Sequence, residues 1–280
     1  MRWYYHSMSD IIPTSDQSVV LLTMPGVFGL TVLQQLLATI RPQCVVVPAH
    51  REQATQQIQR APAVFLSAPS VVDVALHHGI PVIALARWRD LAAWIRPTTW
   101  LVTACFPRRV PTWVRQGVAY ALNIHPSALP AWRGPDPLFY VARGDAQPAV
   151  TLHLMDDGYD TGPVVAQQRL SACNWHDESE LIRAHAQMGA QLLLSLWRGG
   201  GDAHAQEQSA ISYAHVPNVD DYTLQPTWNQ QRMRQFVAGT QLRNHPYYVP
   251  LQRCWVDGIG VGSVPIVCSD GVCYGRARKS

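Results

Sequence analysis

The chain has 280 residues, a net charge of +3, 48% hydrophobic residues and 15% charged ones. That composition suits one large domain, or a medium domain with a small companion, and excludes disorder over long stretches. Lys279 is the only lysine, which excludes Schiff-base lysine chemistry in a core and a G-x-x-x-x-G-K-[ST] phosphate loop.

In chain order, Val19–Thr23 reads as a buried strand, punctuated by Met24-Pro25-Gly26. Leu33, Leu36, Leu37 and Ile40 then share one helix face. The uncharged run Gln17–Ile40 is not a membrane span, because Gln34, Gln35, Pro25, Gly26 and Gly29 interrupt it. Met1–Ser18 has no long apolar stretch and does not read as a signal peptide. Cys44–Val47 is a second strand. Ser70 caps a helix with Val72, Ala75 and Leu76 on one side, ended by Gly79. Ile80–Leu85, Trp100–Cys105, Ala119–Ile124 and Val150–Met155 read as further strands, and Asp177–Trp197 as a long helix. Short apolar strands alternating with helices predict an α/β fold with a mostly parallel, Rossmann-like sheet and flanking helices.

Gly199, Gly200 and Gly201 and the polar stretch that follows mark a linker over 201–211. The expected division is a catalytic unit over 1–200, with its core at 18–197, and a small α+β or β-rich unit over 212–280. In the latter, Trp228–Ala238 reads as a helix, and Tyr247–Val256 and Val264–Tyr274 as strands. Residues 226–280 carry +5 and residues 1–225 carry −2. The basic end is either ordinary solubility or a surface for a phosphate-bearing partner. Cys44, Cys105, Cys173, Cys254, Cys268 and Cys273 contain no C-x-x-C pair, so they are expected to be small buried residues in a reducing cytoplasm. No histidine spacing suggests a metal.

Two segments carry chemistry. In Ala121–Pro130 (ALNIHPSALP), Asn123 and His125 lie two apart at the end of a predicted strand, so both point to one side. The carboxyl end of a parallel strand is where open sheets place their ligand crevice. In Val150–Pro163 (VTLHLMDDGYDTGP), a strand runs into a turn bearing Asp156, Asp157 and Asp160, with Gly158 and Gly162 to bend it. An amide and an imidazole aimed at one point form an oxyanion site. A neighbouring carboxylate is expected to raise the histidine pKa and move a proton. G-x-S-x-G is absent, so direct attack by a bound substrate on a carbonyl is expected, with no covalent enzyme intermediate.

These segments resemble the signature of the 10-formyltetrahydrofolate-dependent formyltransferase family, which spans enzymes acting on methionyl-tRNA, glycinamide ribonucleotide and amino sugars. The pattern is carried by Asn123, His125, Ser127, Leu129, Pro130, Arg133, Gly134, His153, Asp160 and Gly162, with SAPSVVDVALHHGIPV (67–82) and TACFPRRVP (103–111) as further likenesses. The resemblance implies the formyltransferase fold and 10-formyltetrahydrofolate as formyl donor. It implies Asn123, His125 and Asp160 as the catalytic trio, with the oxyanion held by the Asn123 amide and a protonated His125 that Asp160 keeps charged. It also implies folate contacts from Ala104, Cys105, Phe106, Arg108 and Val110 on one side and Met155, Asp156, Asp157 and Tyr159 on the other. Arg133 and Gly134 are implied for acceptor binding, although Arg133 can equally fix its loop. Arg108 and Arg109 either meet the folate tail or sit in solvent. His153 reads as a hydrogen-bonding part of the site wall.

The acceptor expected is a small-molecule amine, such as an amino sugar nucleotide or an amino-acid derivative. The stretch Ala49–Pro69 has only Arg51 and Arg60 as basic side chains, Pro126 follows the motif histidine, and the C-terminal part is short for an RNA-binding barrel. Methionyl-tRNA is the alternative. A 10-formyltetrahydrofolate hydrolase and a non-catalytic folate binder are readings of other classes. The first is disfavoured because the stretch before Val19 is too short for the hydrolases' regulatory domain, the second because a binder has no need of the trio. The family uses its C-terminal part for acceptor binding or dimer contacts, so a homodimer is one arrangement the resemblance allows.

Overall fold

The computed structural model describes residues 16–49, 52–59, 69–171 and 177–278. The expectations placed on Met1–Ser18 before residue 16, on Arg51, Arg60 and most of Ala49–Pro69, and on Cys173 and Lys279 lie outside the described residues. Strands β1 (Ser18–Thr23), β2 (Cys44–Pro48), β3 (Gln56–Ile58), β4 (Val82–Leu85), β5 (Thr99–Ala104), β6 (Tyr120–His125), β7 (Ala149–Leu154) and β8 (Val164–Arg169) form one sheet in the order β3-β4-β2-β1-β5-β6-β7-β8. The centre, from β4 to β6, is parallel. The edges are antiparallel: β3 against β4, β7 against β6 and β8 against β7.

The continuous apolar character of the central strands follows from burial on both faces. Val19, Leu21, Val45, Val47, Val102, Leu122 and Ile124 face α1 (Val27–Leu36), α2 (Val71–His77) and α5 (Glu178–Gly199). Alternate residues Val20, Leu22, Val46, Leu101 and Ala121 face Leu91 and Val114, the latter on α3 (Thr112–Gln116). Burying each such side chain contributes roughly 1.5–3 kcal/mol. Ser70 caps α2 as expected, in a reciprocal capping box with Asp73.

A second core gathers Phe139 and Tyr140 of α4 (Pro137–Arg143), Leu181 of α5, Met233 and Phe236 of α6 (Gln230–Thr240), and Trp228, Tyr247 and Val256. Its outer layer is a three-stranded antiparallel sheet, β11-β10-β9. Here the strand boundaries differ from expectation. Tyr247–Val256 is broken between β9 (Tyr247–Val249) and β10 (Cys254–Cys268), because Pro250 opens a turn closed by Arg253 at φ 49°. Val264–Tyr274 contains the turn at Ser269–Asp270 that leads into β11 (Gly271–Ala277). Arg243 ties this part to the main sheet's helices. Its guanidinium holds Asp136, the N-cap of α4, through both Nη atoms, and its Nε donates to Glu178 on α5 at 3.2 Å.

Among the described residues no helix is long and apolar enough to cross a membrane. The long helix α5 reaches the sheet through Gly189, where an added Cβ would sit 2.2 Å from Ile124 Cγ2. Ile124 lies between the two motif residues of β6, so this contact sets the height of the site. Gly189→Ala should therefore destabilise the protein by about 1–3 kcal/mol through overpacking, measured by denaturant unfolding. An unchanged unfolding midpoint would disprove the close approach.

Candidate active site

Three polar residues stand in register across three neighbouring strands. Thr103 on β5 pairs with Asn123 on β6, and Asn123 pairs with His153 on β7. They share the sheet face opposite α5, as does His125, two residues beyond Asn123. The chain leaves β7 into a loop that returns beside the strand end, with Leu154 N–H donating to Pro163 O at 2.9 Å. Only a glycine fits at 162, since a Cβ there would lie 1.8 Å from Leu154 O. This return brings Asp160 over the row.

One carboxylate gathers the site. Asp160 Oδ1 accepts from Asn123 Nδ2 at 3.1 Å and lies 3.6 Å from His125 Nδ1 and 3.5 Å from His153 Nε2. Its Oδ2 accepts from Gly134 N–H at 2.9 Å. His125 donates from Nε2–H to Trp132 O at 2.9 Å, and His153 donates from Nδ1–H to Leu154 O at 2.9 Å. Asn123 Oδ1 accepts from the Thr103 hydroxyl at 2.7 Å, and its Nδ2 faces His153 Nε2 at 3.1 Å. The expected trio of Asn123, His125 and Asp160 is thus brought together, and His153 and Thr103 join it. Asp160, Trp132 and Cys105, all at this site, are non-glycine residues with φ of 56°, 61° and 58°. Such conformations cost on the order of 1–3 kcal/mol each and persist where the surroundings impose them.

The electrostatics depart from expectation at one point. His125 was expected to be kept charged by Asp160. Burial instead pulls its pKa below the usual imidazole value, and the opposing influences of Asp160 and the Trp132 carbonyl do not overcome that loss of solvation. Burial opposes the charge on Asp160 too, but the two imidazoles and the Gly134 N–H outweigh it and bring its pKa down to about 2. The resting site therefore holds an ionised carboxylate beside a histidine reluctant to charge.

Arg133 is 4% exposed, and its Nε and Nη2 both donate to Gln206 Oε1, at 3.1 and 2.6 Å. The guanidinium is thereby withdrawn from any acceptor, and of its two expected roles the geometry supports fixing the loop. Gln206 Nε2 in turn donates to Asp160 O at 2.9 Å and Gly162 O at 2.7 Å. The stretch read as a linker is therefore part of the site wall, and His204 also pairs with Val164. Ser127 and Leu129 brace the preceding loop: Thr151 Oγ1 donates to Ser127 O at 2.7 Å and accepts from Leu129 N at 3.2 Å.

The two segments expected to hold folate lie side by side. Thr112 Oγ1 donates to Asp157 Oδ1 at 2.9 Å, Arg115 also pairs with Asp157, and Arg109 donates to Asp157 O. Hydrogen bonds from Thr112 and Arg115 hold the Asp157 carboxyl below the usual range. Asp156 accepts from Gly158 N and Thr161 Oγ1, a turn role. Ala104 and Val110 are buried, Phe106 meets Trp88 edge-on, and Met155 Sδ lies 3.9 Å from Thr103 Oγ1. Cys105 is exposed rather than buried, because the left-handed turn at the end of β5 points it outward. Arg108 lies over Trp88 and donates to Leu85 O at 2.7 Å. With Ala86, Arg87, Pro107, Arg109 and the exposed Tyr159, Trp88 and Arg108 line a cleft of about 510 Å³. Among the described residues no group of three or more His, Cys, Asp or Glu is placed to hold a metal.

Thr103, Gln206 and the Trp132 carbonyl were not singled out from the sequence. Register across β5 and β6 is the signal that finds Thr103; Gln206 has none, being one polar residue in a polar stretch. Gln206→Ala should lower stability by about 2–4 kcal/mol, because it leaves a buried guanidinium without its acceptor. Urea unfolding measures this, and a loss under about 0.5 kcal/mol would contradict the assignment.

Residues 98–196 match the family model described as "Formyl transferase". Methionyl-tRNA formyltransferase of Streptococcus thermophilus is 27% identical over 213 residues, covering 72% of this chain and 66% of that protein. The chain spans between about a third and two thirds of the length of the curated relatives it matches. Among solved structures, an N-formyltransferase from Helicobacter canadensis, complexed with folinic acid and dTDP-3-aminofucose, superposes with a TM-score of 0.65 at 13% identity, covering 94% of this chain and all of that one. The methionyl-tRNA formyltransferase of Clostridium thermocellum superposes with a TM-score of 0.52 at 12% identity, covering 79% and 82%. These two likenesses concern the fold.

Proposed function

We propose, from the match of residues 98–196 to the formyltransferase family model and the likeness to a methionyl-tRNA formyltransferase, that this chain moves the formyl group of 10-formyltetrahydrofolate to a primary amine by direct attack. The observation that carries this reading is the single carboxylate, Asp160, shared by Asn123 and His125 at the carboxyl end of β6. Asp160 is the more exposed of the acid–base pair, at 14% against 5% for His125. It meets the amine first, relays the proton and passes it to His125 Nδ1. Asn123 Nδ2, which at rest donates to Asp160 Oδ1 and faces His153 Nε2, is the donor that turns an N–H from Asp160 to an oxyanion bound beside it. The donor is assigned to the cleft between residues 104–110 and 155–159, whose Trp88, Tyr159, Arg108 and Arg109 suit a flat aromatic body with an anionic tail.

The acceptor in this reading is a small-molecule amine. The dTDP-aminosugar enzyme is covered along its whole length by this chain, and the tRNA enzyme only in part. In the same reading residues 212–280 form a small C-terminal unit facing the acceptor or a second copy, residues 1–200 form the catalytic unit, and the protein is cytoplasmic. Methionyl-tRNA is the second reading, favoured by the curated relatives, which are tRNA formyltransferases.

Purified protein given 10-formyltetrahydrofolate and a panel of amines should release tetrahydrofolate only when an acceptor is present. Release without amine would instead mark a hydrolase, and binding without turnover a folate binder. Asn123→Ala and His125→Ala should each lower the rate by about 10²–10³. A tRNA acceptor would show as charge-dependent binding that weakens steeply with salt.

The rate should have a single acid limb. It rises with pH as His125 loses its proton, and burial sets that midpoint below the ordinary imidazole value of 6.5. Asp160 stays ionised throughout, with its pKa at about 2. Asp160→Asn removes the charge that favours imidazolium, so the limb should move to lower pH while the rate falls. A limb that stays in place, measured as kcat against pH, would remove His125 as the proton's destination.

A further inference from the structure

Asp160 Oδ1 stands almost midway between two imidazoles, 3.6 Å from His125 and 3.5 Å from His153. Both rings are buried, with their centroids 6.4 Å apart. A proton relayed by that carboxylate has two destinations, and something must choose between them. Resting on the formyl-transfer reading above, we infer that Thr103 is a positioning residue that makes His125, and not His153, the proton carrier.

The choice is made along the row Thr103–Asn123–His153. The Thr103 hydroxyl has one proton and three acceptors nearby, Asn123 Oδ1 at 2.7 Å, Leu122 O at 3.3 Å and Met155 Sδ at 3.9 Å. The shortest contact takes it. The Asn123 amide is thereby held with oxygen towards β5 and nitrogen towards β7. Its N–H edge then meets His153 Nε2 at 3.1 Å, a position where only a bare ring nitrogen is tolerated. The other nitrogen of His153 already donates to Leu154 O. A second proton on His153 would point at an N–H group.

His125 is arranged the other way. Its Nε2–H donates to Trp132 O, and its Nδ1 faces only the carboxylate. The charged and titratable groups bearing on this choice are Asp160, His125 and His153 themselves, from the loop, β6 and β7. Asp160 Oδ1 also accepts from the amide nitrogen, at 3.1 Å; without the Thr103 hydroxyl that contact alone opposes a turn of the amide, and each turn offers Oδ1 to His153 Nε2, which then accepts the proton. Thr103 touches neither substrate nor proton in this scheme.

The test is 15N and 13C NMR of the histidine rings between pH 5 and 8, on the whole protein, with signals assigned through His125→Gln and His153→Gln. In the wild type His153 should hold its proton on Nδ1 with Nε2 bare, and His125 should hold its own on Nε2 with Nδ1 left to face the carboxylate. In Thr103→Val, which is nearly isosteric, His153 should become doubly protonated in the same range. There kcat should fall about tenfold with KM changed less than about twofold, and Thr103→Ser should restore both. A doubly protonated His153 in the wild type overturns the inference, as does a Thr103→Val protein whose tautomers and kcat match the wild type. If Thr103→Val fails to fold, the wild-type tautomers alone decide. Because the ring signals need no turnover, an absence of formyl transfer would sink the functional reading and leave this result to be judged separately.

Discussion

The burial of one ionised carboxylate organises this molecule's functional end. Asp160 is charged, mostly enclosed and far too costly to leave unpaired. Its four partners come from three places in the chain: Asn123 and His125 on β6, His153 on β7 and the Gly134 N–H in the loop after β6. The two imidazoles and the Gly134 N–H outweigh its burial and hold its pKa at about 2. The consequence runs outward. The loop must return over the sheet, so Gly162 must pass within contact of Leu154 O. Asp160 must adopt a left-handed φ. Gln206 must hold the loop's carbonyls, which in turn commits Arg133.

How much of this was legible in the sequence depended on the range of the interaction. Apolar runs such as Val19–Thr23 and Cys44–Val47 report their own burial, and the central strands read correctly. Asn123 and His125 read correctly as a pair because two residues of strand place them on one face. Asp160 was found because its turn carries glycines and a family spacing. β3 and α3 were missed because each is too short to show a period. α4 was missed because its aromatic sequence Pro-Leu-Phe-Tyr is helical only through packing on α6. The role of Arg133 was undecided because nothing near it in the chain announces Gln206, 73 residues away.

The sign of the His125 shift shows why residue type alone is an incomplete guide to electrostatics. A histidine beside an aspartate ordinarily gains basicity. Here the ring also loses its water on the sheet face, and that loss is the larger influence. The sequence names the charge partner but not the degree of enclosure. Enclosure comes from Trp132, Thr151 and the returning loop, which are gathered only in the fold.

The three left-handed residues at the site belong to the same logic. Cys105, Trp132 and Asp160 sit at the ends of separate segments that must each stop short and turn towards one point. Glycine at those positions would relieve the backbone but let the segments move. A side chain that tolerates the strain gives the turn one shape. Trp132 then fixes its carbonyl on His125 Nε2, and Asp160 fixes its carboxylate on the opposite side of the same ring. The imidazole is gripped between a backbone carbonyl that requires a proton on one nitrogen and a carboxylate that welcomes one on the other. A ring held that way can change its charge without changing its place, which is what proton transfer beside a reacting carbonyl requires.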